Sequence, residues 1–533
     1  MPALRHFALA LSLCGALAAP AAAQTLRIGM AAETTAADPH NYAAAPNSTF
    51  RDHVFDGLTA LDARLRPSPA LATAWSRRDD LTWVFDLRQG VTFHDGQAFT
   101  ADDVVYSYCR VLNNDAEVVG SFSREIRRIA AMTAETPHRL VIRTAEPEPL
   151  LVSDLASVAI IPRGSRSGLT YTPEGCGRVG PWPSVGEFNE GRAAIGTGPY
   201  RLRSYDRSSG IVLTRNDAYW GDKPHWAEVR LRPVTAAGPR LAGLLAGDLD
   251  VVEAPATADV QRIRQNPAFA LAVSPTTRLI FLQMDQRPDA PFVQGPGGGN
   301  PLRDVRVRQA LSLAIDRRVI AERVMDGLAT PAGQLLPEGM RGTVPGAGVL
   351  PYDPARARAL LAEAGVASGL SFTLHATNNR YVNDARVAQA LAQYFQRIGV
   401  TVTVDAMPSN VFFARRGRKD FSVPMGGWAA SAEETQLFFR AWITTTDRDR
   451  GFGMSNYGEF SDPEIDRLAR SAFATMDEGE RERLMEQASR LAIERLPVLP
   501  IHFENAAWAF RRGLTYEGRM DQTTLAQAIR PAP

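Results

Sequence analysis

The segment from residue 370 to residue 405 constrains the fold most, because it holds two strand-like runs on either side of a helix-like run. The β-like runs are 370–375 and 400–405, and residues 383–397 between them have the apolar spacing of a helix. Strands that alternate with a helix in this way favour a mixed α/β sheet. We therefore predict that the chain has an α/β fold.

Hydrophobic alternation and capping residues predict further elements along the chain. Residues 81–87 alternate strongly, with Trp83 and Phe85 on the same face of a strand. Thr100 is a favourable N-cap for a helix that begins at Ala101. Further strands are predicted at 25–31, 200–206 and 210–216, further helices at 303–325, 354–364, 462–474 and 478–495, and loops at 32–47, 163–196 and 286–301.

Residues 1–24 have the three-part pattern of a secretory signal. Arg5 gives a basic start, residues 7–19 are apolar and uncharged, and three alanines precede Gln24. The apolar part is shorter than the roughly 18 residues of a membrane-spanning helix. We predict cleavage near Ala23, which leaves a freely soluble exported protein.

Two cysteines, Cys109 and Cys176, follow the signal. Export allows disulfides to persist, so the two could pair, and the alternative is two separate buried thiols. Cys14 would be the anchor of a lipoprotein, but that cleavage normally needs a small residue where this chain has Leu13. Neither of the later cysteines has CxxC or Cys/His spacing, so no zinc site is predicted.

The charge balance argues against nucleic-acid binding. The chain has 59 Lys and Arg residues and 58 Asp and Glu residues, so its net charge is +1, whereas nucleic-acid binders need a strongly basic surface. The hydrophobic share of 45% and the charged share of 22% are typical of a globular protein. The chain contains neither the Gly-x-Ser-x-Gly elbow nor the HExxH motif, so the alternative of a secreted hydrolase has no motif in its support.

Several blocks of sequence occur in order along nearly the whole chain after the signal. They are FDGLTALDARLRPSPALATAW and LRQGVTFHDGQAFTADDV within 55–112, GTGPYRLRSY at 196–205, LTRNDAYWGDKP at 213–224, GDLDVV at 247–252, DVRVRQALSLAIDRRVI at 304–320, YDPARARALLAEAG at 352–365, FSDPEIDRLARSA at 460–472 and LPVLPIHFENAAW at 496–508. Together these blocks resemble the periplasmic solute-binding proteins of ABC importers, in the dipeptide, oligopeptide and nickel group known as family 5.

The resemblance implies a type II periplasmic binding protein of the large, cluster C form. Such a protein has two lobes joined by a hinge, an additional domain, and a ligand cleft between the lobes. Domain I would be discontinuous, at 25–54, 197–287 and 501–533. The additional domain, domain II, would be 55–196, and domain III would be 288–500.

The resemblance also implies what the chain does. It would capture a peptide or peptide-like solute by hinge closure and deliver it to the permease subunits of an ABC transporter. It would act as a monomer, without a cofactor, without catalysis and without nucleic acid. The alternative ligands are an opine, a sugar derivative or a nickel chelate.

A peptide enclosed in a cleft needs an acid for its ammonium group and an arginine for its carboxylate, because unpaired charges are costly to bury. In peptide-binding relatives, an aspartate a few residues after a Gly-Trp pair binds the amine. Here Gly427 and Trp428 form that pair, and Ser431 stands where the aspartate is expected. Glu433 and Glu434 are the candidates to replace it. Trp428 could form an apolar wall of the site or pack in the core.

The candidate for the carboxylate lies in the polar loop Asn378-Asn379-Arg380-Tyr381, between a strand and a helix. Loops at the ends of strands are where open α/β sheets bind ligands. Arg380 is the first candidate, and Arg386, in the first turn of the helix, is the second. The alternative for each is a solvated surface charge.

The loop after the first strand is predicted to form a third wall of the cleft, with Thr34, Thr35 and Asp38. Hydroxyls and backbone groups there can form hydrogen bonds with the peptide groups of a ligand and make no contact with its side chains. Such binding suits broad specificity. His40 lies in the same loop, but no second histidine stands at a metal-ligand spacing from it, so no metal site is predicted.

Overall fold

The computed structural model describes residues 25–113, 122–166, 169–174, 176 and 182–533, so the predicted signal segment lies outside the described residues. The strands are β1 Thr25–Met30, β2 Thr59–Leu61, β3 Pro67–Pro69, β4 Ala72–Arg77, β5 Thr82–Leu87, β6 Ile129–Thr136, β7 Arg139–Thr144, β8 Tyr200–Asp206, β9 Gly210–Arg215, β10 Glu228–Pro233, β11 Val251–Glu253, β12 Phe269–Gln283, β13 Val293–Gln294, β14 Ala329–Pro331, β15 Ser371–Thr377, β16 Thr401–Met407, β17 Val423–Trp428, β18 Val498–Arg511, β19 Leu514–Thr515 and β20 Arg530–Pro531. The α-helices are α1 Ala45–Val54, α2 Ala101–Leu112, α3 Ser123–Ile126, α4 Leu151–Leu155, α5 Val185–Asn189, α6 Ala237–Ala246, α7 Val260–Gln265, α8 Val305–Leu313, α9 Arg317–Val319, α10 Pro354–Glu363, α11 Asp384–Gln396, α12 Ser409–Gly417, α13 Gln436–Phe438, α14 Pro463–Ala474 and α15 Glu478–Arg495.

One large mixed sheet forms the frame of the molecule. Its strand order is β13-β15-β17-β12-β18-β11-β1-β10-β9-β8, with β16 beside β15 and β14 beside β18. β15, α11 and β16 form the predicted βαβ unit, and the two strands are parallel from Ser371 opposite Thr401 onwards. The prediction of an α/β fold is therefore confirmed.

The long strands β12 and β18 connect two parts of this sheet. Their antiparallel register shifts between Pro275 and Leu279. On one side of the shift β18 pairs with β11, and on the other side β12 pairs with β17, with Leu279 opposite Trp428. Each part of the sheet packs its own apolar core, so the two strands join two bodies through an irregular segment.

A smaller antiparallel sheet, in the order β4-β5-β7-β6, packs against α2 over a third apolar core. The predicted N-cap of α2 is present, because the Thr100 N–H donates to the Asp103 carboxylate at 2.8 Å. Cys109 of α2 and Cys176 are joined by a disulfide in this core. The strands of this sheet lie within the predicted domain II, whose limits stay a prediction.

The prediction of a single helix at 303–325 is wrong, because the α-helix ends after α8 and a new helical turn begins at Arg317. Asp316 begins the next turn as an N-cap, and its carboxylate accepts the Val319 N–H at 3.0 Å. The buried Arg317 guanidinium then donates to carbonyl groups, including that of Pro500 at 2.7 Å. A π-helical turn follows at Ile320–Val324. Helical apolar spacing continues through the break, so it could not reveal the break.

The Gly-Thr-Gly block at 196–198 is explained by a close backbone approach. A Cβ atom at Gly196 would lie 2.0 Å from the Val54 carbonyl oxygen, and one at Gly198 would lie 2.6 Å from the Val54 carbonyl carbon. The glycines therefore bring the segment before β8 against the end of α1. That helix begins at Ala45, so the loop predicted at 32–47 is slightly shorter than expected.

Candidate ligand-binding cleft

A cavity lies where the carboxyl ends of parallel strands from both parts of the large sheet meet. β1 is parallel to β11, and β15 is parallel to β17. Ala31, Ala254 and Val382, which follow β1, β11 and β15, line one cavity of about 190 Å³. Ligands of open α/β sheets bind outside the carboxyl ends of strands, so this cavity marks the candidate site.

Glu504 of β18 is one of two carboxylates in the wall of this cavity. One of its oxygens accepts the Val382 N–H at 2.9 Å, and the other lies 3.5 Å from the Arg278 guanidinium. Burial raises the pKa of the Glu504 carboxyl, and Arg278 and the Val382 N–H oppose that rise. Glu504 thus ties the strand-end loop before α11 to the irregular segment of β12 and β18.

Glu253, at the end of β11, is the second carboxylate in the wall. Its oxygens accept hydrogen bonds from the Ala31 N–H, at 2.9 Å, and from the Thr524 hydroxyl. Desolvation raises the pKa of the Glu253 carboxyl, and these two hydrogen bonds oppose the rise. Among the described residues, no Lys, Arg or His forms an ion pair with the carboxylate. The Arg240 guanidinium donates to the Glu253 backbone carbonyl at 2.7 Å, and its charge lowers the pKa of the Glu253 carboxyl.

Arg380 lies in the loop between β15 and α11, and its side chain is exposed. The backbone is fixed, because the Arg380 N–H donates to the Asp384 carboxylate at 3.0 Å. The guanidinium carbon lies 5.2 Å from the centre of the Tyr381 ring, whose hydroxyl donates to the Gly427 carbonyl at 3.0 Å. No acidic side chain in the described part of the chain forms an ion pair with Arg380. Its charge acts on Glu504, whose carboxyl pKa it lowers.

The other residues predicted to bind the ligand in this region contact other residues of the protein. The Asn379 side chain accepts the Ser409 N–H at 2.9 Å, and the Asn378 N–H donates to the Met407 carbonyl at 3.0 Å. Arg386 extends towards Asp326, with 3.7 Å between the charged groups. Arg380 is therefore the uncompensated cation among the residues predicted here.

Trp428 and Ser431 follow β17. The Trp428 ring meets the Phe438 ring edge to face at 5.3 Å between centroids, and it is partly buried between two apolar clusters. Ser431 is exposed. The Ala430 carbonyl between them accepts the Thr277 hydroxyl at 2.8 Å, which fixes this segment against β12.

The two glutamates predicted to replace the missing aspartate are already paired. Glu433 accepts from Arg341 at 3.2 Å, and burial raises the pKa of its carboxyl while Arg341 lowers it. Glu434 is buried and accepts two hydrogen bonds from Arg481, at 3.1 and 3.2 Å. Both carboxylates are therefore neutralised by arginines of the protein itself, and both pairs stabilise the fold after β17.

In the loop after β1, which was predicted to form a third wall of the cleft, Thr34 and Asp38 are buried and Thr35 is exposed. Thr34 is buried, and its hydroxyl donates to the Pro46 carbonyl at 3.2 Å. Thr35 is exposed, and its hydroxyl exchanges hydrogen bonds with the Asn47 side chain. Asp38 is not available to a ligand, because it is buried in a bidentate pair with Arg110 at 2.8 and 2.6 Å.

Comparison with known proteins identifies the family. The family model described as "Bacterial extracellular solute-binding proteins, family 5 Middle" matches residues 66–450 of the 533 residues. The chain belongs to this family. The predicted resemblance to the family-5 solute-binding proteins of ABC importers is thereby confirmed.

Several relatives of this family-5 solute-binding protein are similar over most of their length. The chain is 28% identical to the dipeptide-binding protein of Escherichia coli over 456 residues, covering 81% of this chain and 80% of the relative. It is 27% identical to the glutathione-binding protein GsiB of Salmonella typhimurium over 520 residues, covering 95% and 94%. The structure of HbpA2 from Haemophilus parasuis has the same fold, with a TM-score of 0.79 at 20% identity, covering 96% of this chain and 100% of HbpA2.

Sequence reasoning missed both carboxylates of the cavity in this family-5 protein. Glu253 follows the block GDLDVV directly, and Glu504 lies inside the block LPIHFENAAW. The available signals were an acidic residue at the end of a buried strand for Glu253 and an acidic residue inside a buried strand for Glu504. They were not decisive, because β11 and β18 meet β1 and β12 only through pairings that are distant in sequence.

Over the described residues, no helix is both long enough and apolar enough to cross a membrane. In the same part of the chain, no group of three or more His, Cys, Asp or Glu side chains is arranged to hold a metal ion.

Proposed function

We propose that this family-5 protein is the periplasmic binding component of an ABC importer, and that it captures a small peptide-like solute through the carboxylate of that solute. The observation that carries the proposal is the exposed Arg380 guanidinium, without an acidic partner among the described residues, beside the cavity at the strand ends. The similar proteins from E. coli and S. typhimurium are named for dipeptide and glutathione, which both carry carboxylates.

Arginine suits this role because its planar guanidinium binds a carboxylate through two parallel hydrogen bonds. Other arginines near the cleft are already occupied: Arg278 lies beside Glu504, and Arg341 is paired with Glu433. The Tyr381 ring supports one side of Arg380, and the hydrogen bond from Tyr381 to Gly427 anchors the loop to β17. The cation is thus held in position before a ligand arrives.

Capture would proceed by closure of the two bodies about the irregular segment Pro275–Leu279 of β12 and the neighbouring residues of β18. A ligand drives closure only by binding the closed form more tightly than the open form. Leu65, in the turn after β2, forms one apolar cluster with Leu336, Met340 and Ala430, which joins the predicted domain II to the predicted domain III. The cavity of about 190 Å³ is smaller than the roughly 300–1,000 Å³ of common ligand sites, which favours a small solute.

The mature protein would act in the periplasm after loss of residues 1–24, as a monomer that hands an unaltered solute to the permease. A second candidate is a binding protein for an anionic solute that is not a peptide, such as an opine. It is favoured by Ser431, since the aspartate expected there is missing and both nearby glutamates, Glu433 and Glu434, are paired.

We expect the replacement of Arg380 by alanine to weaken ligand binding about tenfold or more, which is about 1.4 kcal/mol. The substitution removes the guanidinium that would receive the carboxylate and leaves the backbone contact with Asp384 in place. Isothermal titration calorimetry with a panel of dipeptides and glutathione measures the change.

Arg386 provides the matched control, because it is also an exposed arginine, at the start of α11, and already faces Asp326. Its replacement by alanine is expected to change affinity by less than about threefold. Unchanged affinity in the Arg380 variant would reject the role of Arg380 as the carboxylate-binding residue.

A further inference from the structure

We propose that Glu253 binds the ammonium group of the ligand inside the cavity at the strand ends, so that the ligand is a zwitterion whose charged ends lie at Glu253 and Arg380. This inference rests on the proposed function, because it assumes a carboxylate at Arg380. It places the binding site for the amine of the ligand at the end of β11, whereas the sequence predicted that site in the segment after Trp428.

The first argument is the unmatched charge of Glu253. Glu504, the other carboxylate of the cavity, has the Arg278 guanidinium at 3.5 Å, and Glu433 and Glu434 each have an arginine within 3.2 Å. Among the described residues, Glu253 has no cation at ion-pair distance, and Arg240, whose guanidinium donates to the Glu253 backbone carbonyl at 2.7 Å, acts on the carboxylate only through its charge. A carboxylate withdrawn from water without a direct ion-pair partner is unfavourable, so an ammonium group in the cavity would stabilise it.

The second argument is the remaining hydrogen-bonding capacity of Glu253. An ionised carboxylate can accept about four hydrogen bonds, and Glu253 accepts one from the Ala31 N–H and one from the Thr524 hydroxyl. These two bonds fix the orientation of the group. The remaining lone pairs suit the three N–H donors of an ammonium group in the cavity that Glu253 lines.

The third argument is the position of Glu253 relative to the candidate cation. Val382 lines the same cavity as Glu253, and it lies two residues after Arg380. The loop that carries Arg380 therefore borders the cavity that Glu253 lines. We infer that the ligand is a short zwitterion, such as an α-amino acid derivative or a dipeptide, with one charged end at each residue. If Glu253 binds an ammonium group, a solute that carries only negative charge is not the ligand.

The test compares L-alanyl-L-alanine with its N-acetylated form, which keeps the carboxylate and lacks the ammonium group. Calorimetry on the full mature protein is expected to show at least about tenfold tighter binding of the free amine. In Glu253→Gln this preference should fall at least about tenfold, mainly through weaker binding of the free dipeptide. Glutamine can still accept the Ala31 N–H and donate to the Thr524 hydroxyl, so the cavity wall is preserved.

Glu504→Gln serves as the comparison variant, because its carboxylate already has Arg278 as partner, and it should keep the wild-type preference for the free amine. A wild-type preference that is unchanged in Glu253→Gln would overturn the inference. If both forms bind with equal affinity, and Arg380→Ala weakens both, the inference fails while the proposed function stands. If neither form binds to the wild-type protein, the inference fails, and the panel of dipeptides and glutathione decides the proposed function separately.

Discussion

We expect the replacement of Arg110 by methionine to lower the free energy of unfolding by about 3–5 kcal/mol, because it breaks a buried ion pair from one side. The side chains of Arg110 and Asp38 are only 1% and 0% exposed. The guanidinium also donates to the Pro183 carbonyl at 2.9 Å and to Nδ1 of His40 at 2.9 Å. Burial and the charge of Arg110 lower the pKa of His40 to about 4, so the ring is neutral near pH 7 while Arg110 is in place.

Urea denaturation measures this change, and Arg139→Met is the control. Arg139 pairs with Asp86 on the surface, with exposed fractions of 48% and 52%, so its loss should change the free energy of unfolding by less than about 1 kcal/mol. The double variant Arg110→Met with Asp38→Leu should be more stable than Arg110→Met alone, because it leaves no unpaired buried carboxylate. A single variant within about 1 kcal/mol of the wild type would contradict the assigned role of the pair.

Removal of the disulfide between Cys109 and Cys176 is expected to lower the free energy of unfolding by about 4 kcal/mol. The bond closes a loop with a sequence separation of 67 residues, and the chain-entropy model assigns this stabilisation to the restriction of the unfolded chain. The variant Cys109→Ala with Cys176→Ala, unfolded in urea without reductant, measures the loss.

Reduction of the wild-type protein supplies the control for this prediction. With dithiothreitol, the wild type should approach the stability of the double variant, and the double variant should not respond to the reductant. A double variant as stable as the oxidised wild type would show that the bond adds nothing to the stability of the core around α2.

Local patterns predicted much of the fold, because they depend on neighbours in sequence. The N-cap of α2 follows from residues within one turn of each other, and the βαβ unit around α11 follows from the apolar spacing within three consecutive runs. The break after α8 was not predicted, because helical apolar spacing continues through it and the contact of the Arg317 guanidinium with the Pro500 carbonyl joins segments distant along the chain.

The candidate site was less predictable than the fold, for the same physical reason. Arg380 could be chosen from its place at a strand end, and its role stays a prediction. Asp38 looked equally available, but its partner Arg110 lies 72 residues away and occupies it fully. Glu253 and Glu504 become neighbours of one cavity only when both parts of the sheet are assembled.

Native mass spectrometry of the protein purified from the periplasm of its source bacterium tests the central claim most directly. We predict a non-covalent adduct of one small solute per chain, released on denaturation with its mass unchanged, and absent or strongly reduced in Arg380→Ala. Wild-type protein that carries no solute, or that converts the bound solute into a compound of different mass, would contradict the account.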